Sequence, residues 1–372
     1  MFCGKNGDYV ESIINSDMER IYSGLTDSEK KKLNNSTILI TGCGGFLGYY
    51  FSLFFTTYAQ DLNIRKIIGL DNFIVGCPPW LEKLSDEKKI KLHKFDIISD
   101  DISKIPDAGN VTHVLHMASI ASPTFYRKYP IETLDANIWG LRSLLEYYKD
   151  KSIKGFLFFS SSEIYGNPTP ENIPTPETYN GNVSSLGPRA CYDEAKRFGE
   201  TICYLFNHRY NLPITVVRPF NNYGPGMRLN DKRVPADFAN AIFKNEDIVI
   251  LSDGSPTRTF CYISDAITGY LKVLLYGKFD VFNIGIDKPE VSVKRLAEIY
   301  REQGIKIMNY SGNIHFGKSN DSEYLTNNPD RRCPNITKAR TILGYNPQVD
   351  VYDGVGYFLK YIKESNPERL TW

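Results

Sequence analysis

The sequence has no Cys-x-x-Cys pair and only seven cysteines in its 372 residues. An odd number of scattered cysteines is typical neither of a disulfide framework nor of a structural zinc site. The seven are Cys3, Cys43, Cys77, Cys191, Cys203, Cys261 and Cys333. We therefore expect a protein of a reducing compartment, the cytoplasm, and predict no metal site.

Long apolar runs and an excess of charge are also missing. No stretch reaches the roughly 20 apolar residues that span a bilayer, and residues 1–24 carry acidic and amide side chains where a signal peptide needs an apolar run. The net charge is +1, so no overall field attracts nucleic acid or an anionic membrane. We expect neither as a partner, and an anionic ligand must be held by local groups.

From residue 36 onward, short apolar runs alternate with longer segments of helical period. The runs that we predict to be strands are 37–41, 65–70, 90–95, 112–118, 155–160 and 213–219. The segments that we predict to be helices include 46–60, 131–149 and 192–209. Strands that alternate with helices are typical of a parallel sheet covered on both faces. The sequence therefore predicts an α/β fold with a Rossmann-type, doubly wound parallel sheet.

Changes in the sequence pattern divide the chain into three parts. Residues 1–35 form a charged extension, which we expect to be a packed-on helix or an oligomer contact. Residues 36–220 carry the alternating pattern and are predicted to bind the cofactor. Beyond them, Gly-Pro and Asp-Gly turns separate shorter elements, so residues 221–372 are predicted to form a smaller α/β region that mainly binds substrate.

A glycine-rich loop follows the first predicted strand. Glycines 42, 45 and 48 suit a tight turn, close approach of a pyrophosphate and close helix–strand packing, although a glycine triplet alone also fits an ordinary turn. The next strand ends in Asp71, whose carboxylate suits the ribose hydroxyls of NAD and would repel the 2′-phosphate of NADP. We therefore predict NAD as the cofactor. The residues predicted to contact it are Gly42, Gly45, Phe46, Leu47, Gly48, Asp71, Asn72, Asp96, Ile97, Ala118, Tyr192 and Lys196.

Three residues of the strand region have competing interpretations. Asp96 fits an adenine contact or a helix N-cap equally well. His113 and His116 are interpreted as structural, because no further metal ligand has a suitable spacing.

Tyr192 and Lys196 lie four residues apart on a predicted helix and so share one face. A free tyrosine has a pKa near 10 and is a poor base at neutral pH. A neighbouring ammonium and the positive nicotinamide ring both favour the phenolate, and we expect them to lower the pKa of Tyr192. Tyr192 is therefore predicted to be the catalytic base, with Lys196 as its partner.

A serine-rich turn, Ser160-Ser161-Ser162-Glu163, directly follows the strand 155–160. Ligands of a doubly wound sheet bind beyond the carboxyl ends of the strands. Ser161 is predicted to share a proton network with Tyr192 and a substrate hydroxyl in preference to capping the loop, and Ser162 either joins this network or caps the loop. Glu163 either caps the loop, pairs with a lysine, or faces the nicotinamide as an acid or base with a perturbed pKa.

Together these motifs resemble the extended short-chain dehydrogenase/reductase family, in its nucleotide-sugar epimerase, dehydratase and decarboxylase branch, over about residues 36–350. Besides the glycine loop and Tyr192-x-x-x-Lys196, the resemblance rests on Ser-Ser-x-Ile-Tyr-Gly and on residues 218–225, Arg-Pro-Phe-Asn-Asn-Tyr-Gly-Pro. Within the branch the chain is most similar to UDP-glucuronate decarboxylases, in segments 121–126, 187–194 and 255–260.

The resemblance implies an NAD-dependent enzyme that acts on a nucleotide sugar. It places Tyr126, Asn221, Arg233, Arg258 and Arg332 around the substrate, and guanidinium groups suit its phosphates. A surface ion pair is the alternative for any one arginine, and Arg331 is the alternative to Arg332. The resemblance also implies a homodimer, in which helices 131–149 and 192–209 pair with their copies.

The chain departs from the decarboxylase pattern at two points. Cys77-Pro78-Pro79-Trp80 stands where the decarboxylases usually carry basic residues, and Gly226 stands where they carry arginine. Both departures concern the identity of the substrate more than the type of reaction.

The resemblance further implies oxidation of the sugar at C4, after which the 4-keto sugar has three fates. It loses CO₂ if it is a uronate, is reduced on its other face in an epimerase, or loses water in a dehydratase. Dehydratases carry an Asp-Glu pair after the fifth strand, whereas Ser162 holds the aspartate position here. This favours decarboxylation, then epimerisation, then dehydration. A non-catalytic NAD-binding regulator is a further alternative, which the intact Tyr192, Lys196 and Ser161 oppose.

Overall fold

The computed structural model of the chain describes residues 7–319, 323, 326, 328–365, 367, 370 and 371. Its strands are β1 (Ser36–Thr41), β2 (Ile64–Asp71), β3 (Lys91–Lys94), β4 (His113–His116), β5 (Gly155–Phe159), β6 (Ile214–Pro219), β7 (Asn222–Tyr223), β8 (Ile248–Ile250), β9 (Thr257–Arg258), β10 (Cys261–Tyr262), β11 (Asp280–Ile284), β12 (Val291–Ser292), β13 (Ile314–Phe316) and β14 (Arg331–Arg332).

The α-helices are α1 (Gly7–Ser23), α2 (Asp27–Lys32), α3 (Phe46–Thr57), α4 (Pro79–Asp86), α5 (Pro123–Lys128), α6 (Pro130–Asp135), α7 (Leu141–Tyr148), α8 (Ala190–Tyr210), α9 (Val234–Lys244), α10 (Ile263–Leu274), α11 (Val293–Met308), α12 (Thr337–Leu343) and α13 (Val351–Glu364). A π-helical turn, Ala136–Gly140, joins α6 to α7, so the helix predicted at 131–149 has an irregular centre.

Seven strands form one parallel sheet in the order β11-β6-β5-β4-β1-β2-β3. After β3 the chain crosses to β4 on the other side of β1, so the strand order reverses between β1 and β4, as in a doubly wound sheet. The predicted fold class and the six predicted strands are confirmed. The main sheet extends beyond residue 220, because β11 lies in the C-terminal part of the chain and pairs with β6.

The sheet is covered on both faces, which explains why its strands are continuous apolar runs. Ile38 and Ile40 of β1 pack into one buried cluster with α3 and α10. Leu39, between them, points to the other face and packs with Leu141 and Leu145 of α7.

The N-terminal extension is a packed-on helix, one of its two predicted interpretations. The carboxylate of Asp17 in α1 is fully buried and accepts hydrogen bonds from the hydroxyls of Tyr50 (2.7 Å) and Tyr262 (2.9 Å). Arg20 donates to its other oxygen at 3.1 Å. Burial raises the pKa of Asp17 to about 6, although these partners lower it. α1 thereby ties α3 to β10, just before α10 begins.

The short C-terminal strands form three small sheets, β12-β9-β14, β13-β8 and β10-β7. β14 pairs with β9 in parallel, which sets Arg332 opposite Arg258. No helix in the described part of the chain is long and apolar enough to cross a membrane.

Candidate active site

A cavity of about 490 Å³ runs from the glycine loop after β1 to the arginines of β9 and β14. Every residue that the sequence predicted for cofactor binding, substrate binding or catalysis lines it. The cavity lies at the carboxyl ends of the central strands, where a doubly wound sheet binds its ligands. The structure therefore brings the predicted residues together around one cavity, while the contacts among them depend on the fold.

Three glycines of the loop are each required for a different structural reason. Gly42 has a φ of +72°, and a Cβ at Gly48 would lie 2.3 Å from the carbonyl oxygen of Cys43. A Cβ at Gly45 would meet nothing closer than the Gly42 oxygen at 3.4 Å, and this residue faces the cavity at the start of α3. Gly42 and Gly48 therefore shape the turn, whereas Gly45 leaves room for a diphosphate at the helix N-terminus, which fits a dinucleotide.

Asp71 is fixed beside this loop at the end of β2. Its two oxygens accept hydrogen bonds from the backbone N–H of Gly44 (2.9 Å) and of Phe73 (2.8 Å). Burial raises the pKa of Asp71, while these two bonds lower it. Asp96 accepts from the backbone N–H of Ile98 at 3.0 Å, so it caps the turn after β3 and also lines the cavity.

Tyr192 and Lys196 share one face of α8, as predicted, but Lys196 does not act on the phenol as expected. Its ammonium donates to the carbonyl oxygen of Phe159 at 2.6 Å and lies 5.6 Å from the Tyr192 ring centroid. Burial raises the pKa of Tyr192 to about 12, although a hydrogen bond with Ser161 lowers it. Burial also lowers the pKa of Lys196 to about 7. The predicted lowering of the Tyr192 pKa is therefore wrong for the protein chain alone, because desolvation by burial is the largest influence on it and raises it.

Glu163 is held between two guanidinium groups. Arg332 donates to both carboxylate oxygens, at 2.5 and 2.6 Å, and Arg189 also donates to one of them. Burial would raise the pKa of Glu163, but the two arginines hold it at about 2. Of the three alternatives for Glu163, the structure shows an ion pair, but with arginines and not with a lysine. An ionised carboxylate of this kind is a poor acid.

Arg189 and Asp193 are site residues that the sequence analysis missed. The Nε of Arg189 donates to Asp193 at 3.4 Å, and both side chains are buried. In the sequence they lie three residues before and one after Tyr192, within segment 187–194, which carries part of the family resemblance.

The residues predicted to bind substrate surround the half of the cavity that lies away from the glycine loop. Tyr126 stacks on Tyr192, with ring centroids 5.2 Å apart and an interplanar angle of 11°. Asn221 donates to the Thr259 oxygen at 2.8 Å, and Arg233 pairs with Asp231.

Arg258 donates to the backbone oxygens of Thr257 and Asp330 at 2.7 and 3.0 Å. Burial lowers the pKa of Arg258 to about 9, and the charge of Arg332 adds to this. Arg331 is exposed and pairs with Glu290 away from the cavity. Of the two alternatives, Arg332 is therefore the one in the site.

The two departures from the decarboxylase pattern meet on one side chain, Tyr49 of α3. Gly226 has a φ of +84°, and a Cβ there would lie 2.3 Å from the Tyr49 ring. Trp80 packs against the same ring at 4.9 Å. Nearby, Arg228 lines the cavity and donates to the Val75 oxygen at 3.2 Å, so a guanidinium still reaches this rim.

The two strand histidines are structural, as interpreted. His116 shares a hydrogen bond with Thr41 at 2.9 Å and His113 with Ser36 at 3.2 Å. Burial lowers the pKa of His116 to about 3 and that of His113 to about 4. Among the described residues, no three His, Cys, Asp or Glu side chains form a metal-binding group.

Comparison with known proteins agrees with this architecture. UDP-glucuronic acid decarboxylase 5 of Arabidopsis thaliana is 32% identical over 322 residues, which cover 87% of this chain and 88% of the relative. UDP-glucuronic acid decarboxylase 1 of Xenopus tropicalis is 32% identical over 91% of this chain and 74% of its own length.

Solved structures with the same fold include two epimerases. The UDP-glucose 4-epimerase of Thermotoga maritima, solved with UDP-glucose, has a TM-score of 0.75 at 25% identity and covers 88% of this chain and 98% of its own. The UDP-glucuronic acid 4-epimerase of Bacillus cereus, solved with UDP-glucuronic acid and NAD, has a TM-score of 0.69 at 26% identity, with 88% and 99% covered.

The sequence profile of the NAD dependent epimerase/dehydratase family matches residues 38–285, which include the glycine loop, the serine turn and the Tyr192–Lys196 pair. The chain belongs to this family and is an enzyme whose cofactor is NAD.

Proposed function

We propose that this enzyme decarboxylates UDP-glucuronic acid through a 4-keto intermediate. The nucleotide-sugar class follows from the names of its relatives, which are decarboxylases and epimerases of UDP sugars. The observation that carries the decarboxylase assignment is the serine turn. Ser162 stands at the position where dehydratases carry an acid, and the neighbouring Glu163 is ionised between two arginines. A site with no acid for a leaving hydroxyl favours loss of CO₂ over loss of water.

The half of the cavity that lies away from the glycine loop suits the diphosphate and nucleoside. Arg233 and Arg258 supply guanidinium groups on its wall, and Asn221 and Tyr126 supply polar groups and a ring. In this arrangement residues 36–220 bind mainly the cofactor and residues 221–372 mainly the substrate, apart from Tyr126 and the serine turn.

The proposed reaction begins with proton transfer from the sugar 4-hydroxyl to the oxygen of Tyr192, which Ser161 holds by a hydrogen bond. The chemistry that NAD⁺ would supply when bound is acceptance and later return of the C4 hydride, and its positive ring would favour the phenolate of Tyr192. The resulting ketone is β to the carboxylate, so the C5–C6 bond breaks and CO₂ leaves. The electron pair of the broken bond stays on the sugar and forms an enolate with the C4 ketone. C5 then takes up a proton, and Tyr192 returns its proton to the oxygen at C4.

The test is identification of the product that purified enzyme makes from UDP-glucuronic acid with NAD⁺. A UDP-pentose supports the proposal. A UDP-hexuronic acid isomer would instead indicate the second candidate, 4-epimerisation, which the likeness to the Bacillus cereus epimerase favours.

We further propose a cytoplasmic homodimer. Ile131, Trp139, Phe198, Tyr204 and Leu205 are each between 51% and 66% exposed, and they lie on α6, the π-helical turn and α8, which pack together. Large exposed apolar patches mark interaction surfaces, and a second copy of the same helices would cover this one. The six cysteines of the described region are all free, which supports a reducing compartment.

A further inference from the structure

Arg189 and Asp193 connect the two elements that carry the proton-transfer residues. Tyr192 lies between them in α8, and Ser161 lies two residues before Glu163 in the turn after β5. Any contact between Arg189 and Glu163 therefore fixes how the serine turn sits against the tyrosine helix.

We propose that Arg189, anchored by Asp193, is a positioning residue that acts through Glu163 to keep Ser161 and Tyr192 aligned. One guanidinium makes both contacts, with Nη2 donating to Glu163 and Nε donating to Asp193 at 3.4 Å. Because the guanidinium is planar and rigid, it sets the distance between its two carboxylate partners in a way that a lysine cannot.

The burial of the group agrees with a positioning role. Arg189 and Asp193 are 6% and 4% exposed. Such a buried ion network is costly to desolvate and is weak evidence for stability, so geometric specificity is the better account of it. The Arg189 guanidinium also lies 6.0 Å from the ring centroid of Tyr126, which stacks on Tyr192. Arg189 thus contacts the serine turn through Glu163 and lies beside Tyr126, the ring that stacks on Tyr192.

The inference rests on the proposed function only through the first step, in which Tyr192 takes a proton while C4 loses hydride. That step is common to decarboxylation, epimerisation and dehydration. The absorbance of reduced nicotinamide reports on it whichever product follows.

The experiment measures the single-turnover rate of nicotinamide reduction with UDP-glucuronic acid for wild type, R189M, R189K, E163Q and the R189M/E163Q double variant. We expect R189M to slow the step about 100-fold, as a misplacement of about 1 Å does, with unchanged dissociation constants for NAD⁺ and UDP. R189K should recover part of the rate. In the E163Q background, R189M should have no further effect, because Arg189 acts through Glu163.

R331M is the matched control, because Arg331 also forms an ion pair with a glutamate but lies outside the cavity. It should keep the wild-type rate. If R189M does not fold, the single-turnover rates of nicotinamide reduction by D193A and D193N test the inference instead. D193A should slow the step about tenfold, and D193N should restore it because the amide oxygen still accepts from Nε.

Three results would overturn the inference. They are an unchanged rate in R189M or in D193A, effects of R189M and E163Q that simply multiply, and a loss in R189M that appears entirely as weaker substrate binding. A wild-type enzyme that reduces nicotinamide with UDP-glucuronic acid but releases no CO₂ would instead refute the proposed function and leave this test intact.

Discussion

Burial and charge set the chemistry of the site residue by residue: burial raises the pKa of Tyr192, and two arginines hold Glu163 ionised. Tyr192, Lys196 and the glycine loop are local motifs, so their places in the cavity were predictable. The partners of Glu163 were not, because Arg332 follows it by 169 positions and the contact depends on how β14 closes over the sheet. The direction of the Tyr192 pKa was mispredicted for a related reason, since burial raises it and burial depends on the whole fold.

The role of Tyr192 as the base leads to a first prediction. Tyr192→Phe should lower turnover by about 10²–10⁴-fold, the usual contribution of a general base, while NAD remains bound. Because burial holds the pKa of Tyr192 at about 12, the phenolate fraction grows as pH rises. The wild-type rate of nicotinamide reduction should therefore increase with pH across the neutral range. A phenylalanine variant with wild-type turnover, or a rate that falls as pH rises, would contradict this role.

At the scale of elements, α3 and its loop give a second prediction, which separates folding from binding. Gly45→Ala adds a Cβ with no neighbour inside 3.4 Å at a φ of −82°, so the variant should melt like wild type. Its affinity for NAD⁺ should nevertheless fall by about tenfold or more, or about 1.4 kcal/mol, because the new methyl group occupies the phosphate approach.

Gly48→Ala is the matched comparison. Its Cβ would lie 2.3 Å from the Cys43 oxygen, so this variant should lose about 1–3 kcal/mol of folding free energy. Thermal melts and NAD⁺ titrations distinguish the two. Equal melting losses in both variants would show that Gly45 serves the fold and not the cofactor.

The docking of α1 gives a third prediction, on pH. The folded-state pKa of Asp17, about 6, lies above its ordinary value of 3.8. The folded state therefore binds the extra proton, and the stability from Asp17 is present below about pH 4 and is lost as pH rises through about 6. Asp17→Asn cannot ionise. The free energy of unfolding of wild type minus that of D17N should thus fall by on the order of 1 kcal/mol between pH 5 and pH 7.5.

Urea unfolding at the two pH values measures this difference, and groups common to both proteins, such as Asp237 and Asp265, cancel. A difference that is constant with pH would mean that Asp17 ionises normally. The sequence could not predict how α1 docks, because the partners of Asp17 come from two separate elements, Tyr50 from α3 and Tyr262 from β10.

Two elements differ from the sequence-based prediction because they depend on tertiary structure. β11 is a short run beyond the loop-rich segment, and only its pairing with β6 shows that it belongs to the main sheet. The π-helical turn between α6 and α7 has no clear marker in the sequence, yet it places Trp139 on the surface at 52% exposure.

At the scale of the whole molecule, the exposed helix face gives a fourth prediction. Replacing Trp139 and Leu205 by glutamate should shift the protein from dimer to monomer in light scattering, because two charges would be buried at the shared face. Ile342→Glu, at a residue of α12 that is 45% exposed, is the control and should leave the mass unchanged. A wild-type protein that is already monomeric would remove the proposed dimer.

The proposed decarboxylation requires that the enzyme break the C5–C6 bond of a nucleotide-linked uronic acid. The most direct measurement uses UDP-glucuronic acid labelled with ¹³C at C6 and follows the label by mass spectrometry. If the enzyme is a decarboxylase, it should release labelled CO₂ in equal amount to an unlabelled UDP-pentose, with no net change in the bound NAD⁺. Label that stays in a six-carbon nucleotide sugar, as an isomer or as unchanged substrate, would contradict it.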